Sequence, residues 1–307
     1  MAENTLRQAL NNVVIEGVLL EKRMEIKGDK EEDKYITGEL DIRVKENEVH
    51  TVRVFSKKYK SDGSENKSFP GLLTVLEEYK SVAEFGEEEA DKVRVSRGNI
   101  QLNEYYGQDG QLRSYPSIRT NFINRVDVAK EGFEPRAEFE VELFVKSVRE
   151  ETNKEGNETG RAVLDGYIPL FGGIVIPFTF KVNQEGAEYV LDNYETGQTV
   201  SIYGDIINHH EKIVKKKESA FGKDKEIISN NTIREYLVTG GFEPYDEDDE
   251  KAYNPELIKK ALVERETYLE ELKNRDKDAK KETKKGGFGS KSKSSKKPEI
   301  NPDDLPF

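Results

Sequence analysis

The 307-residue sequence predicts an all-β fold of two tandem five-stranded barrels, followed by a helix and an extended tail. Three observations carry that expectation. Segments of alternating apolar and polar residues recur through both halves of the chain. In each half the alternation gives way once to a helical period, at the same place in the order of elements. Past residue 275 the composition shifts to Lys, Gly and Ser, which cannot build a core.

The first half opens with Val13-Val14-Ile15-Glu16-Gly17-Val18-Leu19-Leu20, then Tyr35 to Asp41 and Val49 to Phe55, each with strand character. A helix is predicted from Pro70, with Leu72, Leu76, Tyr79 and Ala83 on one stripe. Val93 to Ile100 follows, and its apolar parity switches across Gly98, as at a β-bulge or barrel corner. Ser117 to Val126 closes the half. The second half repeats the order: Phe139 to Val145, Thr159 to Asp165, Ile174 to Val182, a short helix over Glu185–Tyr194, Val200 to Ile206 with Gly204, and Ile233 to Val238. Three strands, a helix and two strands, twice over, match the five-stranded Greek-key OB-fold.

These patterns divide the chain into a first barrel at 1–132 and a second at 133–245. An acidic spacer and helix at 246–275 come next, then a tether at 276–298 and an acidic tip at 299–307. The helix begins at Asn254-Pro255 and aligns Ile258, Leu262, Leu269 and Leu272, a stripe suited to packing on a barrel or on a second subunit of a homo-oligomer.

Charge and composition exclude several functions. Cysteine is absent, which removes disulfides, thiolate metal sites and a cysteine nucleophile. Hydrophobic residues make up 34% of the chain and charged residues 36%, so the cores must be small. The net charge is −12; the tether carries +6 and the tip −3, leaving −15 on residues 1–275. No run of about eighteen apolar residues exists, and Met1-Ala2-Glu3-Asn4 lacks an apolar signal core, so a cytoplasmic protein without membrane contact is expected. Gly289-Ser290-Lys291-Ser292 lacks the spacing of a phosphate-binding loop, and no hydrolase or dinucleotide signature occurs. The chain reads as a binding protein without cofactor. His209-His210 lacks further ligands, so no metal site is expected.

An acidic chain can still hold a nucleic-acid strand if cations and rings are gathered in one groove. In the third strand Val52 and Val54 face inward, leaving Arg53, Phe55, Lys57 and, if the strand continues, Tyr59 on the outer face. In the fifth strand Ile118 and Phe122 are assigned inward and Arg113, Tyr115 and Arg119 outward. Tyr105 and Tyr106 sit at a hairpin tip with an Asp109-Gly110 turn, and Arg94 adds a cation on the fourth strand. In the second barrel a long hairpin carries Lys212, Lys215, Lys216, Lys217 and Phe221, a loop suited to backbone capture with one stack. Tyr167, Phe171, Phe178 and Phe180 remain ambiguous between core and surface.

The chain ends in Asn301-Pro302-Asp303-Asp304-Leu305-Pro306-Phe307, carried on Gly286-Gly287-Phe288-Gly289-Ser290-Lys291-Ser292-Lys293 and further Ser and Lys. A flexible tether ending in two carboxylates, Leu, Pro and a terminal Phe with its free carboxylate makes a compact hook for a partner pocket. This ending resembles the acidic tip of bacterial single-stranded-DNA-binding proteins. The resemblance implies sequence-independent binding to single-stranded DNA in replication, recombination and repair. It also implies recruitment of replication and recombination proteins through Asp303, Asp304, Leu305, Pro306 and Phe307. Two barrels in one chain are similar to a phage-encoded variant, which would act in the bacterial host cytoplasm. The alternative is a replisome scaffold that binds proteins through its barrels and has little DNA affinity of its own.

Overall fold

The computed structural model describes residues 5–217, 221 and 225–282. In chain order the elements are β1 (Asn11–Lys27), β2 (Tyr35–Lys45), β3 (Glu48–Lys57), α1 (Ser68–Glu78), α2 (Val82–Phe85), β4 (Lys92–Tyr106), β5 (Leu112–Arg119) and β6 (Ile123–Arg125). Then follow α3 (Val128–Glu131), β7 (Arg136–Thr152), β8 (Glu158–Pro169), β9 (Val175–Val182), α4 (Gln184–Asn193), β10 (Thr199–Lys217), β11 (Lys225–Gly241) and α5 (Pro255–Glu282).

Strand pairing closes two barrels. β1 pairs with β2, β2 with β3, β3 in parallel with β5, β5 with β4, and β4 returns to β1. β7, β8, β9, β11 and β10 repeat that circuit, again with the third and fifth strands parallel. A helix stands between the third and fourth strands of each, α1 in one and α4 in the other. The fold is all-β, two OB-fold barrels in tandem.

The parity switch at Gly98 is a bulge. β1 pairs Val13 with Gly98 but Ile15 with Val95, so β4 carries one extra residue between those pairs. A Cβ on Gly98 would stand 3.0 Å from both the Cβ and the carbonyl oxygen of Val13. Gly204 occupies the matching place in β10, where the register shifts against β11 and a Cβ would meet the Leu237 carbonyl at 2.0 Å. At Gly204 no side chain fits without moving backbone, and at Gly98 one would press on Val13 at the limit of contact.

The barrels join through their first strands. β1 and β7 run antiparallel from Asn11↔Val141 to Glu16↔Arg136, merging the two into one continuous sheet. A buried glutamate sits on each side of this seam. Glu16, 1% exposed, accepts from Arg94 Nε at 2.7 Å and from the Glu134 backbone N–H at 3.1 Å. Glu142, 6% exposed, accepts from Arg7 at 2.7 Å, from the Leu10 N–H at 3.0 Å and from the hydroxyls of Tyr245 and Tyr253 at 3.1 and 3.3 Å. Each carboxylate on one barrel therefore ties down the chain entering the first strand of the other.

Several expectations need correction. Phe122 is not core: it is 47% exposed, with the Arg97 guanidinium 5.5 Å above its ring. The final strand of the first barrel breaks at Thr120, whose hydroxyl accepts from the Phe122 N–H at 3.0 Å, so inward-outward alternation does not extend from Ile118 to Phe122. α1 starts two residues before Pro70 and buries Phe69, Leu72 and Val75; it ends at Glu78, leaving Ala83 in the separate turn α2. Tyr167, Phe178 and Phe180 resolve as core, whereas Phe171 is exposed. Among the described residues no helix is long and apolar enough to cross a membrane.

Burial pushes the Glu16 and Glu142 carboxyls up, but hydrogen bonds from Arg94 and Glu134, and from Leu10 and Arg7, outweigh it and hold both below the ordinary carboxylate value. Groups depressed in the folded state stabilise above their unfolded pKa and lose that contribution as pH falls through the folded one. Thermal melting should therefore drop steeply below about pH 4.5. Glu142→Gln should cost roughly 2 kcal/mol at pH 7, since its Arg7 partner is partly exposed, and should flatten the acid side of the profile. A profile unchanged in the variant would show that the seam glutamate is not the titrating group. Phe122→Ala should leave the melting temperature within about 2 °C of wild type, while Phe180→Ala, emptying a fully buried site, should cost about 3–5 kcal/mol.

Candidate nucleic-acid interface

An open groove lies on the first barrel, between the distal halves of β1, β2 and β3 on one wall and the β4–β5 hairpin on the other. Its volume is about 640 Å³. Four cations line it, Arg23, Lys27, Arg53 and Arg119, against two carboxylates, Glu25 and Glu39. On a body carrying −15, a surface with an excess of cations is a local inversion of charge.

β3 and β5 place the central group. Their parallel register sets Arg53 beside Arg119, and alternation along β3 puts Phe55 on the same face. The Arg119 guanidinium lies 5.4 Å from the Phe55 ring centroid, and the Tyr35 ring stands 5.5 Å from Phe55 on the β2 side. Half-buried Phe55 thus presents one edge of a Tyr35–Phe55–Arg119 row to the groove. Arg53 donates through Nε to Glu39 at 2.9 Å. Arg23 holds Asp41 by two hydrogen bonds of 2.5 and 3.0 Å, and Thr51 donates to the same carboxylate at 2.7 Å. Burial would raise the Asp41 carboxyl, but the bonds from Arg23 and Thr51 keep it below its ordinary value. Arg23 and Arg53 thus each have a carboxylate partner within the protein.

The hairpin adds a second pair of rings. Tyr105 and Tyr115 stack at 6.2 Å with planes 27° apart, and both are exposed. Lys57 is exposed at the end of β3. The structure thus gathers Arg53, Phe55, Lys57, Arg119, Tyr105 and Tyr115 on one side of the first barrel. Arg113, on the outer face of β5, is engaged with Asp109 at 3.1 Å.

Other candidates fall elsewhere. Arg94 belongs to the seam, where it neutralises Glu16 and contacts Glu131, so it is removed from the groove. Tyr106 is half-buried with the Lys273 ammonium of α5 5.6 Å over its ring, so it is not an open stacking face. Tyr59 lies past β3 in a bridge with Glu65, and Lys58 covers its ring at 5.6 Å. Lys212 is exposed on β10, and Phe221 is 90% exposed at the far end of the same hairpin. The side chains of Lys215, Lys216 and Lys217 lie outside the described residues, as does the whole of Asp303 to Phe307. Among the described residues no three His, Cys, Asp or Glu side chains form a metal-holding group.

The second barrel repeats the ion lattice but not the rings. Arg149 and Thr179 both donate to Asp165, the counterpart of Arg23 and Thr51 on Asp41. Arg161 pairs with Glu151 and Glu235, and Lys181 with Glu151. The register that sets Arg53 beside Arg119 here sets Lys181 beside Leu237. Two residues after Lys181, where the first barrel has Phe55, stands Asn183, whose side chain caps α4 by accepting from the Gly186 N–H at 2.9 Å. A helix start has taken the place of the ring.

Sequence reasoning missed Arg23, Lys27 and Tyr35. The signal was present: Arg23, Glu25 and Lys27 alternate with Met24 and Ile26, so the period of β1 runs on past Leu20.

No curated protein matches the chain in sequence. Among solved structures, a deletion variant of the single-stranded DNA binding protein from Thermus aquaticus aligns at 12% identity over 80% of this chain and 98% of its own, with a TM-score of 0.47. The wild-type protein aligns at 12% over 80% and 97%, with 0.46. A Replication Protein A heterotrimer bound to single-stranded DNA aligns at 10% over 75% and 49%, with 0.20. The model of the YorF family matches residues 9–275, and the chain belongs to that family.

Proposed function

We propose that this protein binds single-stranded DNA without sequence preference, chiefly through the groove of its first barrel. The observation that carries the reading is the row Arg53, Phe55 and Arg119, with Tyr35 behind it and Tyr105 and Tyr115 beside it, in a cationic groove on an acidic body. Rings stack on any base, and adjacent cations meet the phosphates between them. A paired duplex offers no open base faces, so it would meet only the acidic surround. The protein acts as a binder, not as an enzyme, and its DNA would be the exposed strand of replication and recombination, in a bacterial cytoplasm and on behalf of a phage. The second barrel serves mainly to hold the first, since its matching face repeats the ion pairs but lacks the rings.

Fluorescence anisotropy with labelled oligonucleotides tests this. The full chain should bind a single strand with a site of roughly 4–16 nucleotides and a logarithmic salt slope near −2, for about three phosphates neutralised. Phe55→Ala and Tyr115→Ala should each weaken binding by about 1–3 kcal/mol, Tyr115→Ala without lowering the melting temperature. Equal affinity for duplex and single strand at moderate salt would sink the reading and favour a protein-binding scaffold.

The tip Asp303 to Phe307 is proposed to recruit replication and recombination proteins. Phe307→Ala should abolish capture of those partners while leaving DNA affinity within about twofold, because two carboxylates on a long tether are screened at physiological salt. Pull-downs with full-length and Phe307→Ala protein that return the same partners would remove the tip from the mechanism.

A further inference from the structure

Helix α5 touches both barrels. Near its start Ile258, Ala261 and Leu262 are buried in the main core. Further along, Leu269 and Leu272 are buried outside that core, where the helix packs against β4. The two anchor points are about 15–20 Å apart at 1.5 Å per residue. Its approach is also pinned, because Tyr245 and Tyr253 both donate to Glu142 at the seam.

Where α5 meets the first barrel, Arg265 forms an ion pair with Glu104 of β4, and the two side chains are each only 8% exposed. Lys273 lies over the ring of Tyr106 two residues on. Between those two contacts in β4 is Tyr105, which points to the other face and stacks on Tyr115. Two alternate residues of the hairpin are therefore gripped from behind by the helix, while the residue between them carries a ring on the open side.

We infer that α5 is a strap that fixes the orientation of the β4–β5 hairpin, with Arg265 as the positioning residue that presents the Tyr105–Tyr115 pair to a single strand. The inference rests on the reading above for its ligand, though not for its mechanics. A two-stranded ribbon projecting from a barrel is free to bend about its base. Holding it before the strand arrives removes an ordering cost from binding. The contribution is indirect: Arg265 touches Glu104, and Glu104 belongs to the strand that carries the ring.

The test pairs DNA affinity with hydrogen exchange on the full-length chain. Arg265→Met should release the hairpin, so amides 103–115 exchange faster by about tenfold or more while the second-barrel core is unchanged. Affinity for an oligo-dT strand should fall roughly tenfold. Arg265→Glu combined with Glu104→Arg should restore both readouts, which an unspecific loss of stability would not. Tyr115→Ala added to Arg265→Met should cost little more than Arg265→Met alone, because a released ring is already lost to binding. Should Arg265→Met fail to fold, Leu269→Ala weakens the same end of α5 and leaves Ile258 and Leu262 in place. Unaltered exchange in the hairpin, or a Tyr115→Ala effect that adds in full, would overturn the strap. If the wild-type chain binds no strand at all, the function falls, and the exchange experiment still decides whether Arg265 holds the hairpin.

Discussion

The antiparallel pairing of β1 with β7 is the constraint on which the rest of the molecule depends. A barrel of this size has a small core, and with 34% hydrophobic residues in the chain the junction adds to what each barrel buries by itself. Joining the first strands converts two exposed edges into shared ladder and buries Val13, Ile15, Ala137, Phe139 and Val141 on one face of the junction. The carboxylates left inside the junction are then matched. Glu16 and Glu142 each accept a backbone N–H from the opposite side, so that each barrel satisfies polar groups of its neighbour. A buried carboxylate is tolerable only when hydrogen-bonded to that degree, and removing either partner leaves a desolvated charge. The seam is therefore selective as well as adhesive, since a slip of one residue would orphan both glutamates.

From this junction the two barrels diverge in what their surfaces do. They share strand order, a glycine paired with the first strand and the carboxylate held by Arg and Thr, so their backbones offer the same face. Glu142 additionally gathers Arg7, Tyr245 and Tyr253 and thereby sets where α5 begins. Glu16 gathers Arg94 and the chain before β7. The helix consequently starts on the second barrel and reaches the hairpin of the first. One barrel supplies the foundation and the other the rings.

The sequence made the frame legible where a local rule sufficed. Strand alternation, the single helical interruption in each half and the glycine after it named both barrels, and the parity switch located the bulge at Gly98. Alternation also assigned Arg53 and Phe55 to one face, because β3 is regular across Val52 and Val54. It failed where tertiary contacts intervene. Phe122 sits two residues beyond the point at which Thr120 breaks the strand, and no periodicity records a side-chain hydrogen bond. Arg94 looked like any outward cation, and its buried partner Glu16 lies 78 positions away. Tyr106 is covered by a helix that begins about 150 residues later, a contact that spacing cannot encode. Lys181 and Asn183 show the same limit from the other side: only the strand register reveals that they stand where Arg53 and Phe55 do.

Under the proposed reading, the acidity of the body becomes part of how the groove discriminates. At physiological salt a charge is screened beyond about 8 Å, so the −15 of residues 1–275 acts mainly on whatever touches the surface around the groove. A duplex is broad and stiff and would bring phosphates against that surround while offering no base to Phe55 or Tyr115. A single strand is narrow, can follow the line from Arg53 and Arg119 to the hairpin, and can turn its bases onto the rings. Because the groove cations are partly held by Glu39 and Asp41, the electrostatic gain is modest and stacking must carry more of the affinity. A basic protein would bind both forms tightly and separate them poorly. An acidic one with a few placed cations binds less strongly through phosphate alone, and for that reason depends on bases that only an unpaired strand can present.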